Sequence, residues 1–79
     1  MKYNGHRNRA TWNVNLWIGN DEGLYRAAVD FVRNLGHRCT GADALDFMYQ
    51  AFPEGVTPDG DRIALAHAPE VAAMLRELA

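Results

Sequence analysis

Cysteines, long apolar runs, glycine-rich loops and N-terminal acids are all scarce in this sequence, and each scarcity removes a class of function. Only one cysteine, Cys39, stands in the 79 residues, so an internal disulfide and a cysteine-rich zinc site are excluded and a reducing cytosol is the expected setting. No apolar run approaches the roughly 20 residues that span a bilayer. The opening Met1-Lys2-Tyr3-Asn4-Gly5-His6 lacks the apolar core of a secretory signal. The chain is therefore expected to stay where it is made, in the cytoplasm, without a membrane. Its glycines stand singly at turns and element ends, so no loop is built to cradle phosphates. The histidines His6, His37 and His67 fall in separate loops with no i,i+4 pair among them. With no third ligand near His37 and Cys39 and no orienting Asn or Asp for a cysteine nucleophile, neither a metal, a cofactor nor a catalytic residue is expected.

Charge is distributed unevenly. Through Asn20 the chain carries Lys2, Arg7 and Arg9 and no acid, whereas all 10 acids lie in the remainder, for a net charge of −2. Neutralising nucleic-acid phosphates needs clustered Lys and Arg, so direct nucleic-acid binding is disfavoured for this mildly acidic body. The same count is too balanced to imitate the charge of a duplex.

What is present reads as one domain, residues 1–79, with a polar, basic arm over 1–9 and a body over 10–79. A chain this short buries only about 60% of its unfolded surface, and its core rarely supplies more than roughly 3–5 kcal/mol. Association with a partner or a second copy is accordingly expected, and a homodimer is one form of it.

The body is expected to be all-α, a bundle of three to four helices. Thr11 to Ile18 alternates as Trp12, Val14, Leu16 and Ile18 against polar neighbours, which is a strand signal. Thr11 as a cap, Gly19-Asn20 as a stop, and the want of a partner strand favour a short helix instead. Asp21 caps a second helix to about Leu35, with Leu24, Ala27, Ala28, Phe31, Val32 and Leu35 as its apolar stripe. Glu22, Arg26, Asp30 and Arg33 form its solvated face. Thr40 and Asp43 mark a capping box for a third helix to about Phe52, expected to bury Leu45, Met48, Tyr49 and Phe52. Thr57-Pro58-Asp59-Gly60 is a turn. Arg62 to Ala66 reads as a helical turn or a short extended piece. Pro69 opens a last helix with the stripe Val71, Met74, Leu75 and Leu78. Cys39, between Arg38 and Thr40, is expected to be exposed and able to form an intermolecular disulfide.

The densest unusual block runs from Thr11 to Tyr25 and sets two tryptophans and a tyrosine among Asn13, Asn15, Asn20, Asp21 and Glu22. One reading is a core anchor in which the amides satisfy indoles and helix ends. The other is an interface, where Trp and Tyr act as anchors. So small a core cannot enclose every aromatic. The candidate partner-binding residues are therefore Trp17, Asn13, Asn15, Asn20, Asp21, Glu22 and Tyr25, with Asp59 and Asp61 offering acids to a basic partner.

This block also carries a resemblance. Tyr3-Asn4-Gly5, Asn8, Thr11-Trp12-Asn13-Val14, Leu16-Trp17-Ile18 and Asn20-Asp21-Glu22-Gly23-Leu24-Tyr25 resemble a family of short proteins carried by phages, plasmids and other mobile elements. The Thr57-Pro58-Asp59-Gly60 turn followed by a final amphipathic helix is similar too. In length and in its alanine-rich last helix the chain looks most like anti-CRISPR proteins acting on type I-C systems. That resemblance implies a non-enzymatic inhibitor that binds protein subunits of a CRISPR surveillance complex and blocks target DNA capture or nuclease recruitment. A phage or plasmid regulator that binds nucleic acid through Lys2, His6, Arg7 and Arg9 is the alternative. Yet the helix ending at Phe52 carries only Gln50 of the residues a recognition helix needs. A virion subunit is a third possibility and would self-associate extensively.

Overall fold

The block with the strand-like alternation is a helix. The computed structural model describes residues 9–78, and its first element is α1, Arg9–Asn20. Its buried residues include Thr11, Val14, Asn15 and Ile18, at i, i+3, i+4 and i+7, which is helical period. Two of those four are polar, and that hid the stripe from a hydrophobicity reading. Thr11 is correspondingly not the cap: the helix begins earlier, and Thr11 lies on the buried face.

A single extended residue, Asp21, separates α1 from α2, Glu22–Asn34. Its carboxylate accepts the Leu24 N–H at 2.9 Å, relieving one of the unpaired donors of a helix start. Gly36, with φ of 72°, supplies the left-handed residue that lets the chain turn away. Of the expected stripe, Ala28 is fully buried, Leu24, Phe31, Val32 and Leu35 pack partly against the core, and Ala27 is exposed. The helix is rotated so that Val29, not Ala27, borders the protein.

Helix α3, Gly41–Ala51, starts at the expected capping box, with Thr40 and Asp43 bonded reciprocally. Met48 and Phe52 are buried as expected. Ala44 and Phe47 complete that face, whereas Tyr49 is exposed. Phe47 instead meets Phe31 of α2, ring centroids 5.2 Å apart, so the wholly apolar ring takes the inward position and the phenol of Tyr49 is left substantially exposed.

Between α3 and the last helix, Val56 and Arg62 form an isolated antiparallel bridge across the Thr57–Gly60 turn, which the Gly60 N–H closes on the Thr57 carbonyl at 2.8 Å. The segment after it combines both expected forms: Arg62 is extended at the bridge, and Leu65–His67 is a 3-10 turn. His67 is buried there, its Nδ1 accepting the Ala64 N–H at 3.2 Å. Helix α4, Ala68–Arg76, buries Val71, Ala72 and Leu75. Its pairing with α3 is the most extensive in the molecule.

Ile18, Met48, Leu75, Val14 and Val71 are the largest apolar side chains fully withdrawn from water. A core made of so few large groups has little reserve. Met48→Ala should cost about 2–5 kcal/mol, comparable to all that such a core supplies, and leave much of the chain unfolded at room temperature. Tyr49→Ala, one residue on, should cost about 1 kcal/mol or less. Urea unfolding followed by circular dichroism checks both, and equal midpoints for the two variants would contradict this core.

Candidate functional site

Residues spaced by four stand on one line of a helix, and Arg9, Asn13 and Trp17 are so spaced on α1. That line meets the turn after α3. Asp59 Oδ2 accepts the Asn13 amide at 2.7 Å and the Trp17 indole N–H at 3.0 Å. One turn earlier, Arg9 Nε pairs with Asp61 Oδ2 at 3.2 Å. The turn is pre-shaped for this: Gly60 adopts φ of 89°, and the buried Thr57 accepts the Asp61 N–H on its hydroxyl at 3.1 Å. The Asn13 amide, then the indole, then the charge of Arg9 hold the Asp59 carboxyl below the usual carboxylate range. Asn13 Oδ1 is buried with no hydrogen-bond partner among the described residues. Turning the amide over would aim that oxygen at a carboxylate, so Asp59 fixes its orientation.

This geometry sorts the candidate binding residues. Asn13 is 1% exposed and Asn15 is also buried, so as a correction neither presents its side chain to a partner: both lie on the face α1 turns inward. Asp59 and Asp61 are engaged with α1 rather than left as free acids. The indole of Trp17 is satisfied by Asp59, not by the neighbouring asparagines. Glu22 is exposed and pairs with Arg26 in the i,i+4 manner expected of a solvated face. Asn20, Asp21 and Tyr25 are exposed.

Around them lies a surface the core does not use. Leu16, Trp17, Asn20 and Asp21 line a pocket of about 210 Å³. Leu16 is 38% exposed and Tyr25, one turn into α2, is 42% exposed. Tyr25 in turn borders a shallow groove with Arg26, Val29, Asp30 and Arg33. Leu16 was not among the candidates from sequence, and Arg9 was named there only for the nucleic-acid alternative. Placing Val14 and Ile18 on a 3.6-residue period would have turned Leu16 outward, whereas the alternation grouped it with them. The pairing of Arg9 needs a turn 52 residues away, and nothing local signals it.

The second polar cluster sits at the start of α3. Asp43 Oδ2 accepts the Thr40 N–H at 2.9 Å and its hydroxyl at 3.0 Å, and lies 2.8 Å from His37 Nε2. The Thr40 backbone bond first, and His37 next, lower the Asp43 carboxyl. Cys39 beside it is 1% exposed, which corrects the expectation of an accessible thiol and of a dimer bridged through it. Burial first, then the charge of Asp43, raise the thiol and hold it protonated. Arg76 of α4 donates to the Cys39 carbonyl at 2.7 Å and draws this strand of loop inward while Arg38 and Thr40 face water. Among the described residues no three His, Cys, Asp or Glu side chains are grouped to hold a metal ion. No helix there is long and apolar enough to cross a membrane.

Residues 1–79 match the model of DUF7249, a family of unknown function, and the chain belongs to that family. Neither a curated protein nor a solved structure matches it.

A carboxyl whose folded pKa is lowered stabilises the fold fully above its unfolded value, about pH 4, and loses that contribution as pH falls through the folded value. Asp59 and Asp43 share this sign. Asp59→Asn mimics the protonated acid, keeping an oxygen for Asn13 and Trp17 while removing the charge. Its urea midpoint should lie below the parent's at pH 7, and the difference should shrink as pH falls below about 4. A difference independent of pH would show that the ionised carboxylate contributes nothing.

Proposed function

We propose that this member of DUF7249 is a non-catalytic protein that binds a protein surface of a type I-C CRISPR surveillance complex and denies it to target DNA or to the nuclease. The observation that carries the binding reading is the α1–α2 corner. There the exposed Leu16 and the half-buried Trp17 line a pocket with Asn20 and Asp21, and the exposed Tyr25 borders a groove along α2, large apolar groups left outside a core that is short of them. The same corner falls within the block whose residues resemble mobile-element proteins, and that resemblance supplies the identity of the partner. The mildly acidic body suits a basic surface that DNA would otherwise occupy, since complementary charge speeds and orients encounter. Cytoplasmic action in the bacterial host follows from the same reading. The basic-arm regulator draws less support: Arg9 is engaged with Asp61, and Lys2, His6 and Arg7 lie outside the described residues.

In cells with an active type I-C system, the protein should restore phage plaquing and co-purify with the surveillance complex. Leu16→Glu and Tyr25→Ala alter exposed side chains and should leave the helical spectrum intact while weakening capture by about 2 kcal/mol or more each, as interface anchors do. Failure to restore plaquing or to co-purify, together with a shift of bare DNA at physiological salt, would replace the inhibitor with the direct regulator. Full capture by both variants would move the binding surface elsewhere.

A further inference from the structure

The carboxylates around the α1–α2 corner are not equivalent. Asp61 is paired with Arg9, and Glu22 with Arg26. Among the described residues Asp21 and Asp59 take only neutral donors: the Leu24 N–H on Asp21 Oδ1, and the Asn13 amide and Trp17 indole on Asp59 Oδ2. The second oxygen of each is directed to no donor there, and both residues are exposed. Both are also fastened to Trp17. The Asp21 N–H donates to the Trp17 carbonyl at 2.9 Å, and Asp59 holds its ring nitrogen. The pocket of about 210 Å³ opens between Leu16, Trp17, Asn20 and Asp21, so an aromatic ring, an aliphatic side chain and the Asp21 carboxylate meet around one concavity, while Asp59 lies outside its lining, at the indole nitrogen of Trp17 and under the charge of Arg9.

We propose that this pocket receives an arginine side chain from a basic protein segment. The inference deepens the binding function proposed above and rests on it for the partner being a protein. The chemistry favours that occupant on several counts. A guanidinium is planar and weakly hydrated, stacks on an indole, and carries donors enough to serve more than one carboxylate oxygen. Its methylene stem covers apolar surface such as Leu16. A carboxylate already oriented by a backbone donor, as Asp21 is by the Leu24 N–H, loses little freedom on accepting it, and the resulting hydrogen bonds are charge-assisted at both ends. A lysine ammonium would meet the charge and forgo the planar stacking.

The test uses the whole protein labelled with ¹⁵N and follows its indole N–H resonances, that of Trp17 being assigned by its absence in Trp17→Phe. The probe is a glycine-spaced tetra-arginine peptide, with citrulline and lysine versions as controls. Citrulline keeps the shape of arginine without its charge. The arginine peptide should shift the Trp17 resonance saturably and leave that of Trp12 nearly unmoved, with lysine weaker and citrulline inactive. Asp21→Asn should weaken binding about tenfold or more with an unchanged helical spectrum, because Asn caps a helix as well as Asp. Equal responses to arginine and citrulline, or an Asp21→Asn variant that binds as tightly as the parent, would overturn the proposal. So would concentration-dependent self-association that moves the Trp17 resonance without peptide, which would give the pocket to a second copy. A protein that captures the surveillance complex yet ignores arginine peptides refutes this inference alone. One that binds the peptides but neither restores plaquing nor captures the complex refutes the inhibitor reading alone.

Discussion

One ionised carboxylate sets how α1 sits on the rest of the molecule. Burying the amide of Asn13 away from water costs free energy unless it is bonded, and Asp59, 46 residues along the chain, accepts its N–H. The same oxygen takes the Trp17 indole one turn further on, so two points on one line of the helix are pinned to one turn. Rotation of α1 about its axis is thereby specified. With that line against the turn, Val14 and Ile18 enter the core and Leu16 is left outside. A helix whose inner face is half polar could not be oriented by apolar burial alone.

The rest of the architecture bears the marks of a limited core. Ala28, Ala44, Ala68 and Ala72 fill much of the interior, allowing helices to approach closely but burying little area each. Leu16, Tyr25, Tyr49 and Leu65 remain substantially exposed. A partner that covers such groups would bind the native state only and raise its stability by mass action, so binding and folding are coupled in a domain of this size. Polar clamps complement the apolar contacts: Arg76 reaches from α4 to the carbonyl of Cys39, and Arg9 from α1 to Asp61.

The legible parts of the fold were those whose signals are local. Asp21 as a cap, the Thr40–Asp43 box, the Thr57–Gly60 turn and the last helix each depend on residues within a few positions of one another, and each stands where the sequence placed it. The misplaced residues share a different property: their surroundings come from afar. Cys39 has polar neighbours in sequence, but its environment is set by α4. Phe47 and Tyr49 stand two residues apart on α3, and the one that turns inward is the one that meets the ring of Phe31 across the interface. Asn13 and Asp59 are unremarkable apart and form a latch together. Of the candidate site, Asn20, Asp21 and Tyr25 are exposed, while Asn13 is held by Asp59 within the fold and Asn15 is buried.

The motif from Thr11 to Tyr25 therefore has two kinds of residue in it, and they bear differently on function. Asn13, Asn15, Val14, Ile18 and the indole nitrogen of Trp17 are consumed by the fold. A protein sharing them would share this packing of α1 whatever it binds. Leu16, Asn20, Asp21 and Tyr25 meet smaller demands from the interior, Asp21 alone being required as a helix cap that Asn would serve equally. Similarity confined to the first set is an argument about structure. Similarity that extends to the second, where solvent would tolerate many substitutions, is an argument about what those side chains touch, and here the resemblance quoted from the sequence includes Leu16, Asn20, Asp21 and Tyr25.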